Sequence, residues 1–124
     1  MTKQFALYRC DMCGTVAEII QNSRGGLACC GREMRPLAEN SVEIAVEKHL
    51  PVIETNSAGC RVSVGALPHP MEAKHSIRWI ELLAEGFSCK KMLNPGEAPE
   101  VFFPGKFSRV HAREYCNLHG LWKV

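Results

Sequence analysis

Beyond residue 40 the chain breaks into short apolar segments of strand length, each closed by turn-forming residues. The cleanest is Arg61-Val62-Ser63-Val64, where apolar and polar side chains alternate with the period of two that buries one face of a strand and wets the other. Strands are predicted over residues 52–54, 60–66, 77–83, 87–93, 101–103 and 109–115. The stretches from Asn56 to Gly59 and from Asn94 to Pro99, with Pro104-Gly105, supply the breaks. A β-sandwich of roughly seven strands accommodates about 85 residues of this pattern.

The first 36 residues read differently. Phe5, Leu7, Tyr8, Val16, Ile19, Ile20 and Leu27, interrupted by Gly14, Gly25, Gly26 and Gly31, are too few apolar groups for a self-sufficient core. Such a segment is expected to fold around a metal, whose binding contributes on the order of 10 kcal/mol. Residues 35–40 are expected as the linker, so the chain divides into a metal-binding minidomain, 1–36, and a mainly β domain, 37–124.

A length of 124 residues with 46% hydrophobic composition supports one ordinary core plus a small appendage. No apolar run reaches the length of a bilayer span, and the start from Met1 to Phe5 lacks the features of a secretory signal. A soluble, cytoplasmic protein without a membrane partner is therefore expected. In that compartment seven cysteines, an odd number, point to metal ligands and buried thiols rather than disulfides. The 15 basic and 13 acidic residues form no basic stripe, and 7% aromatics give no stacking platform, which argues against nucleic acid as a partner.

Two constellations carry candidate chemistry. Cys10-Asp-Met-Cys13-Gly14 is a metal knuckle, since two intervening residues let both sulfurs reach one ion and the glycine permits the tight turn. Cys29-Cys30 is an unusual second pair: adjacent side chains diverge, so bringing both sulfurs to one ion bends the backbone. Gly25, Gly26 and Gly31 are expected to supply that freedom. Four thiolates suit structural zinc or a single redox iron, and the spacing does not choose between them.

The second constellation is Glu47-Lys48-His49-Leu50-Pro51, His69-Pro70-Met71, His75 and Cys116-Asn117-Leu118-His119-Gly120. Each piece lies at a predicted strand end or loop, where a rigid scaffold gathers residues distant in sequence. Cys116 and His119 form a chelate by themselves, and Pro51, Pro68 and Pro70 restrict the loops bearing the other imidazoles. Four neutral imidazoles and one thiolate would leave a ferrous ion with a net charge of about +1, which still attracts an anion.

In both patterns and in their order along the chain, the sequence resembles desulfoferrodoxin, the two-centre form of superoxide reductase. The resemblance implies a desulforedoxin-like N-terminal iron site held by Cys10, Cys13, Cys29 and Cys30, where zinc is a possible substitute. It also implies a second iron in an immunoglobulin-like seven-stranded sandwich, with His49, His69, His75 and His119 equatorial and Cys116 axial. The implied reaction is one-electron reduction of superoxide to hydrogen peroxide without dioxygen production. Lys48 would guide the anion and organise proton-donating water, and Glu47 would be a possible sixth ligand of the oxidised metal. A homodimer is implied, with rubredoxin or a similar small redox protein as electron donor.

His111 lies outside both ligand sets and is read as structural or exposed, and Cys60 and Cys89 as small buried hydrophobes. Trp79 and Trp122 are expected to pack the sandwich, Trp122 close enough to the ligand loop to shield a metal. The alternative is a non-catalytic electron-transfer protein, rubredoxin-like or blue-copper-like. The latter needs only two histidines and commonly a methionine after the cysteine, and no methionine follows Cys116. A third reading, a zinc module that binds a partner through the knuckle, leaves the five-ligand set without purpose.

Overall fold

The computed structural model describes residues 2–41, 49–65 and 69–124. Glu47, Lys48 and Pro68 lie outside the described residues. Every regular element among those described is a β-strand, and none of them forms a helix long and apolar enough to cross a membrane. The chain separates into two compact units, Met1–Ala38 and Glu39–Val124.

In the first unit β1 (Leu7–Arg9) pairs antiparallel with β2 (Val16–Glu18) and, on its other side, with β5 (Arg35–Pro36). Between them β3 (Ala28–Cys29) and β4 (Arg32–Glu33) form a minimal hairpin. Leu7, Cys10, Ile19 and Met34 are its buried apolar residues. So small a core cannot by itself offset the entropy of ordering the segment, and a metal held by the clustered cysteines would supply what is missing.

The second unit comprises β6 (Glu39–Asn40), β7 (Pro51–Thr55), β8 (Gly59–Val64), β9 (Ile77–Ala84), β10 (Phe87–Met92), β11 (Glu100–Pro104), β12 (His111–Cys116) and β13 (Gly120–Lys123). They form a five-stranded sheet, β10-β9-β12-β13-β6, and a three-stranded sheet, β11-β8-β7. Val62 and Val64 from β8, Ile80 and Leu82 from β9, Val101 and Phe103 from β11, and Ala112 and Cys116 from β12 belong to one buried cluster, which makes the unit a sandwich. The six predicted strands are all present. Residues 35–40, expected as a linker, instead contribute β5 and β6, and β6 runs parallel to β13 with Leu121 opposite Glu39.

On the other face of the large sheet Arg113 stands opposite Glu81 on the neighbouring strand, and both are fully buried. The Arg113 Nε donates to Glu81 Oε1 at 2.7 Å, Lys90 Nζ reaches Glu81 Oε2 at 2.7 Å, and Glu39 Oε2 accepts from Arg113 at 3.1 Å. The guanidinium thus ties β6, β9 and β12 together; without Glu81 it would keep only the part-exposed Glu39, and without Arg113 the buried Glu81 would keep only Lys90.

Two sequence expectations need correction. Cys60 is buried, but Cys89 is exposed, because β10 is a sheet edge paired only to β9 and shows most of its residues to solvent. Trp79 is buried outside the sandwich cluster and stacks on Tyr115 at 5.8 Å. His111 is exposed.

Candidate metal centres

Cys10, Cys13, Cys29 and Cys30 converge, with their sulfurs all within 4.8 Å of one another. The knuckle is set by two backbone bonds, from the Gly14 amide to the Cys10 carbonyl and from the Cys10 amide to the Thr15 carbonyl, each 2.9 Å, with Gly14 at φ +82°. The bend required by Cys29-Cys30 lies at Cys30 itself, φ +54°, and Gly31, φ +73°. Gly25 and Gly26, expected to contribute, have no left-handed backbone. Consecutive left-handed residues swing the Cys30 sulfur back beside that of Cys29, 3.8 Å away, and Cys13 and Cys29 sulfurs are 3.6 Å apart. Thiolates bound tetrahedrally at about 2.3 Å would lie about 3.8 Å apart.

The four thiols are electrostatically frustrated as they stand. The Thr15 hydroxyl, 3.1 Å from the Cys13 sulfur, and the Thr15 amide draw that thiol down to about 6, whereas its neighbours Cys13, Cys10 and Cys30 push Cys29 up to about 12. Four adjacent thiolates need a cation to exist together, so the donor set fits a metal. Asp11, inside the knuckle, is clamped by Arg35 of β5 through 3.1 and 3.3 Å bonds, which hold its carboxyl below the ordinary range.

At the second cluster, His49 precedes β7, His69 and His75 lie on the approach to β9, Cys116 ends β12, and His119 sits in the turn before β13. One ligand atom from each lies within 4.8 Å of all the others. The rings form a closed square. Centroids are 4.8 Å apart for His49–His69, 4.7 Å for His69–His75, 5.0 Å for His75–His119 and 4.6 Å for His119–His49, and every adjacent pair is edge-to-face. His49 Nε2 and His119 Nδ1 are 2.9 Å apart. Two nitrogens at right angles about one ion, each bound at about 2.1 Å, would be about 3.0 Å apart.

The surroundings fix which nitrogen faces inward. His69 Nδ1–H donates to the Pro70 carbonyl at 2.7 Å, so its buried Nε2 carries a bare lone pair with no hydrogen-bond partner among the described residues. Burial brings His69 down to about 4, keeping it neutral and ready to ligate. His75 Nε2 is likewise buried, with no hydrogen-bond partner among the described residues. Orphaned buried nitrogens are costly inside a protein, and a metal bound between them would satisfy both.

Cys116 and His119 share a three-residue hairpin loop. Cys116 pairs with Gly120, whose φ of +87° closes it, and the Cys116 sulfur lies 3.7 Å from His119 Nδ1. Burial raises the Cys116 thiol, and the Leu118 and His119 amides, which hydrogen-bond to the sulfur, oppose that rise. Trp122 stacks on His49 at 4.9 Å and 16°, and its Nε1–H donates to the His119 carbonyl at 3.1 Å. Asn117 bonds across to Lys74 and Ser76. Sequence reasoning assigned Asn117 no role beyond its place in the Cys116-Asn117-Leu118-His119-Gly120 motif.

Known proteins resemble both parts of the chain. The desulfoferrodoxin family model matches residues 41–124, and that of the desulfoferrodoxin N-terminal domain matches residues 2–37. Desulfoferrodoxin of Nitratidesulfovibrio vulgaris is 50% identical over 124 residues, covering 100% of this chain and 98% of its own. A superoxide reductase of Pyrococcus horikoshii is 35% identical over 96 residues, or 62% of this chain and 84% of its own. The crystal structure of the superoxide reductase from Treponema pallidum superposes with a TM-score of 0.80 at 27% identity, covering 99% of both chains. With both halves matched in order and both ligand clusters assembled, this chain belongs to the desulfoferrodoxin family.

Proposed function

We propose that this protein is a superoxide reductase: superoxide takes up one electron and two protons to give hydrogen peroxide, with no dioxygen released. The observation that carries the reading is the square of four imidazoles closed by one buried sulfur. The full-length likeness to a superoxide reductase supports it. When bound by His49, His69, His75, His119 and Cys116, iron supplies the electron and a coordination position for the anion.

The chain's own residues do the rest. The Pro70 carbonyl holds the His69 ring in one tautomer, Trp122 braces His49 and the His119 backbone, and two amides neutralise part of the Cys116 charge. Lys48 attracts the anion and orders water that delivers protons, and Glu47 is the carboxylate that replaces product. Both roles rest on the family resemblance. The same reading takes residues 1–36 and 37–124 as the two functional parts, and iron, with zinc as substitute, at the four cysteines. It also takes a small rubredoxin-like protein as electron donor, and a cytoplasmic homodimer as the working form.

The test is to mix the reduced holoprotein with superoxide and measure both products. Peroxide without dioxygen is expected; equal amounts of the two, as in dismutation, would overturn the reading.

A further inference from the structure

We propose that Asn117 is a positioning residue of the second centre, holding the Cys116 sulfur against His75 by acting as a surrogate strand backbone. The inference rests on the reading of His75 and Cys116 as ligands of one metal.

The register of β12 on β9 slips at the end of the strand: Tyr115 faces Trp79, but Cys116 faces Ile77. Past the slip the backbone ladder has one long rung, from the Asn117 amide to the Ser76 carbonyl at 3.3 Å. The side chain then takes over. The Ser76 amide donates to Asn117 Oδ1 at 2.9 Å, and Asn117 Nδ2 donates to the Lys74 carbonyl at 2.9 Å. A carboxamide offers the same donor and acceptor as a peptide group, so Asn117 grips the chain on both sides of His75 from the position next to Cys116. Ser76 is 0% exposed, so water cannot easily replace Asn117 at its amide.

Asn117 acts through the loop. The Leu118 and His119 amides that hydrogen-bond to the Cys116 sulfur belong to the same turn, so anchoring Asn117 also fixes their aim. Aspartate would keep the acceptor for Ser76 but lose the donor to Lys74; alanine would lose both.

The experiment loads the full-length protein, Asn117→Ala and Asn117→Asp with ferrous iron. It then challenges each with a chelator and records, after oxidation, the thiolate-to-iron band that the His/Cys centre adds to the spectrum of the four-cysteine centre. Asn117→Ala should hold iron at the His/Cys centre about 10- to 100-fold more weakly and displace the band, as loss of an outer-shell partner does. The four-cysteine centre in the same chain should keep its affinity. Asn117→Asp should fall between, and it carries the test if the alanine variant does not fold. Parent-like affinity with an unmoved band would overturn the proposal, and so would equal weakening of both centres, which marks a merely structural loss. A parent that binds iron and shows the band yet fails to reduce superoxide would sink the functional reading and leave this one standing.

Discussion

The nitrogens of His49 and His119 meet at 2.9 Å although 70 residues separate them, and the two rings differ from His69 in being accessible: His119 is exposed, whereas His69 is only 3% exposed. The square therefore has a wet corner and a dry one. Replacing His119 by alanine should weaken iron binding in a way that added imidazole partly restores, because a free ring can occupy the open corner. His69→Ala should not be rescued. Iron retention titrated against imidazole checks the contrast.

Cys116 is the only sulfur of the second cluster and is wholly buried. Cys116→Ser should abolish the thiolate-to-iron band of the His/Cys centre and the reduction of superoxide while leaving the four-cysteine centre loaded and its own absorption unchanged. Visible spectra beside metal analysis decide this, and persistence of the band that the His/Cys centre adds to the four-cysteine spectrum would remove Cys116 from the ligand set.

Lys48, outside the described residues, carries an electrostatic prediction. At about 6 Å and an effective dielectric of about 20, one charge contributes at most about 3 kcal/mol before salt screening. Lys48→Ile should slow superoxide capture about tenfold and flatten its dependence on ionic strength. Pulse radiolysis measures both.

Two glycines separate steric from conformational cost. A side chain at Gly59 would strike the Phe103 carbonyl, with Phe102 Cζ and Pro104 Cα each at 2.9 Å, so Gly59→Ala should break the pairing of β8 with β11 and cost about 3 kcal/mol. Gly31 has open space around it but a φ of +73°, so Gly31→Ala should cost only about 1 kcal/mol of backbone strain. Denaturant unfolding of the holoprotein ranks the two.

Stripping metal should affect the two units unequally. With four buried apolar residues the first unit should lose most of its amide-exchange protection, while β8, β9 and β12 in the sandwich should keep theirs. Exchange mapped by mass spectrometry before and after chelation tests this, and uniform loss would count against it.

The sandwich strands were legible where apolar residues repeat over a sufficient length, as in β8 and β9. β6 was not, because Glu39 and Asn40 carry no apolar signal and become a strand only through pairing with Leu121 and Trp122. Cys89 was misjudged because a hydrophobic residue does not announce whether its strand lies at an edge. The ligands stood out because Cys10-x-x-Cys13 and Cys116-x-x-His119 are local chelates. The hydrogen bonds that orient them, from Pro70, Trp122 and Asn117, depend on the rotamers and loop paths of the folded chain.

On the proposed metal reading, the spacing of the clustered side chains sets the order in which each part would acquire its ion. Cys10 and Cys30 close a short loop, so an ion can capture that segment while it is still loose and pull it into shape. His49 and His119 are brought together by completed sheets, so a second ion would enter a socket already built. On that reading one half of the chain would be moulded by its metal, and the other would select a metal after it has hardened.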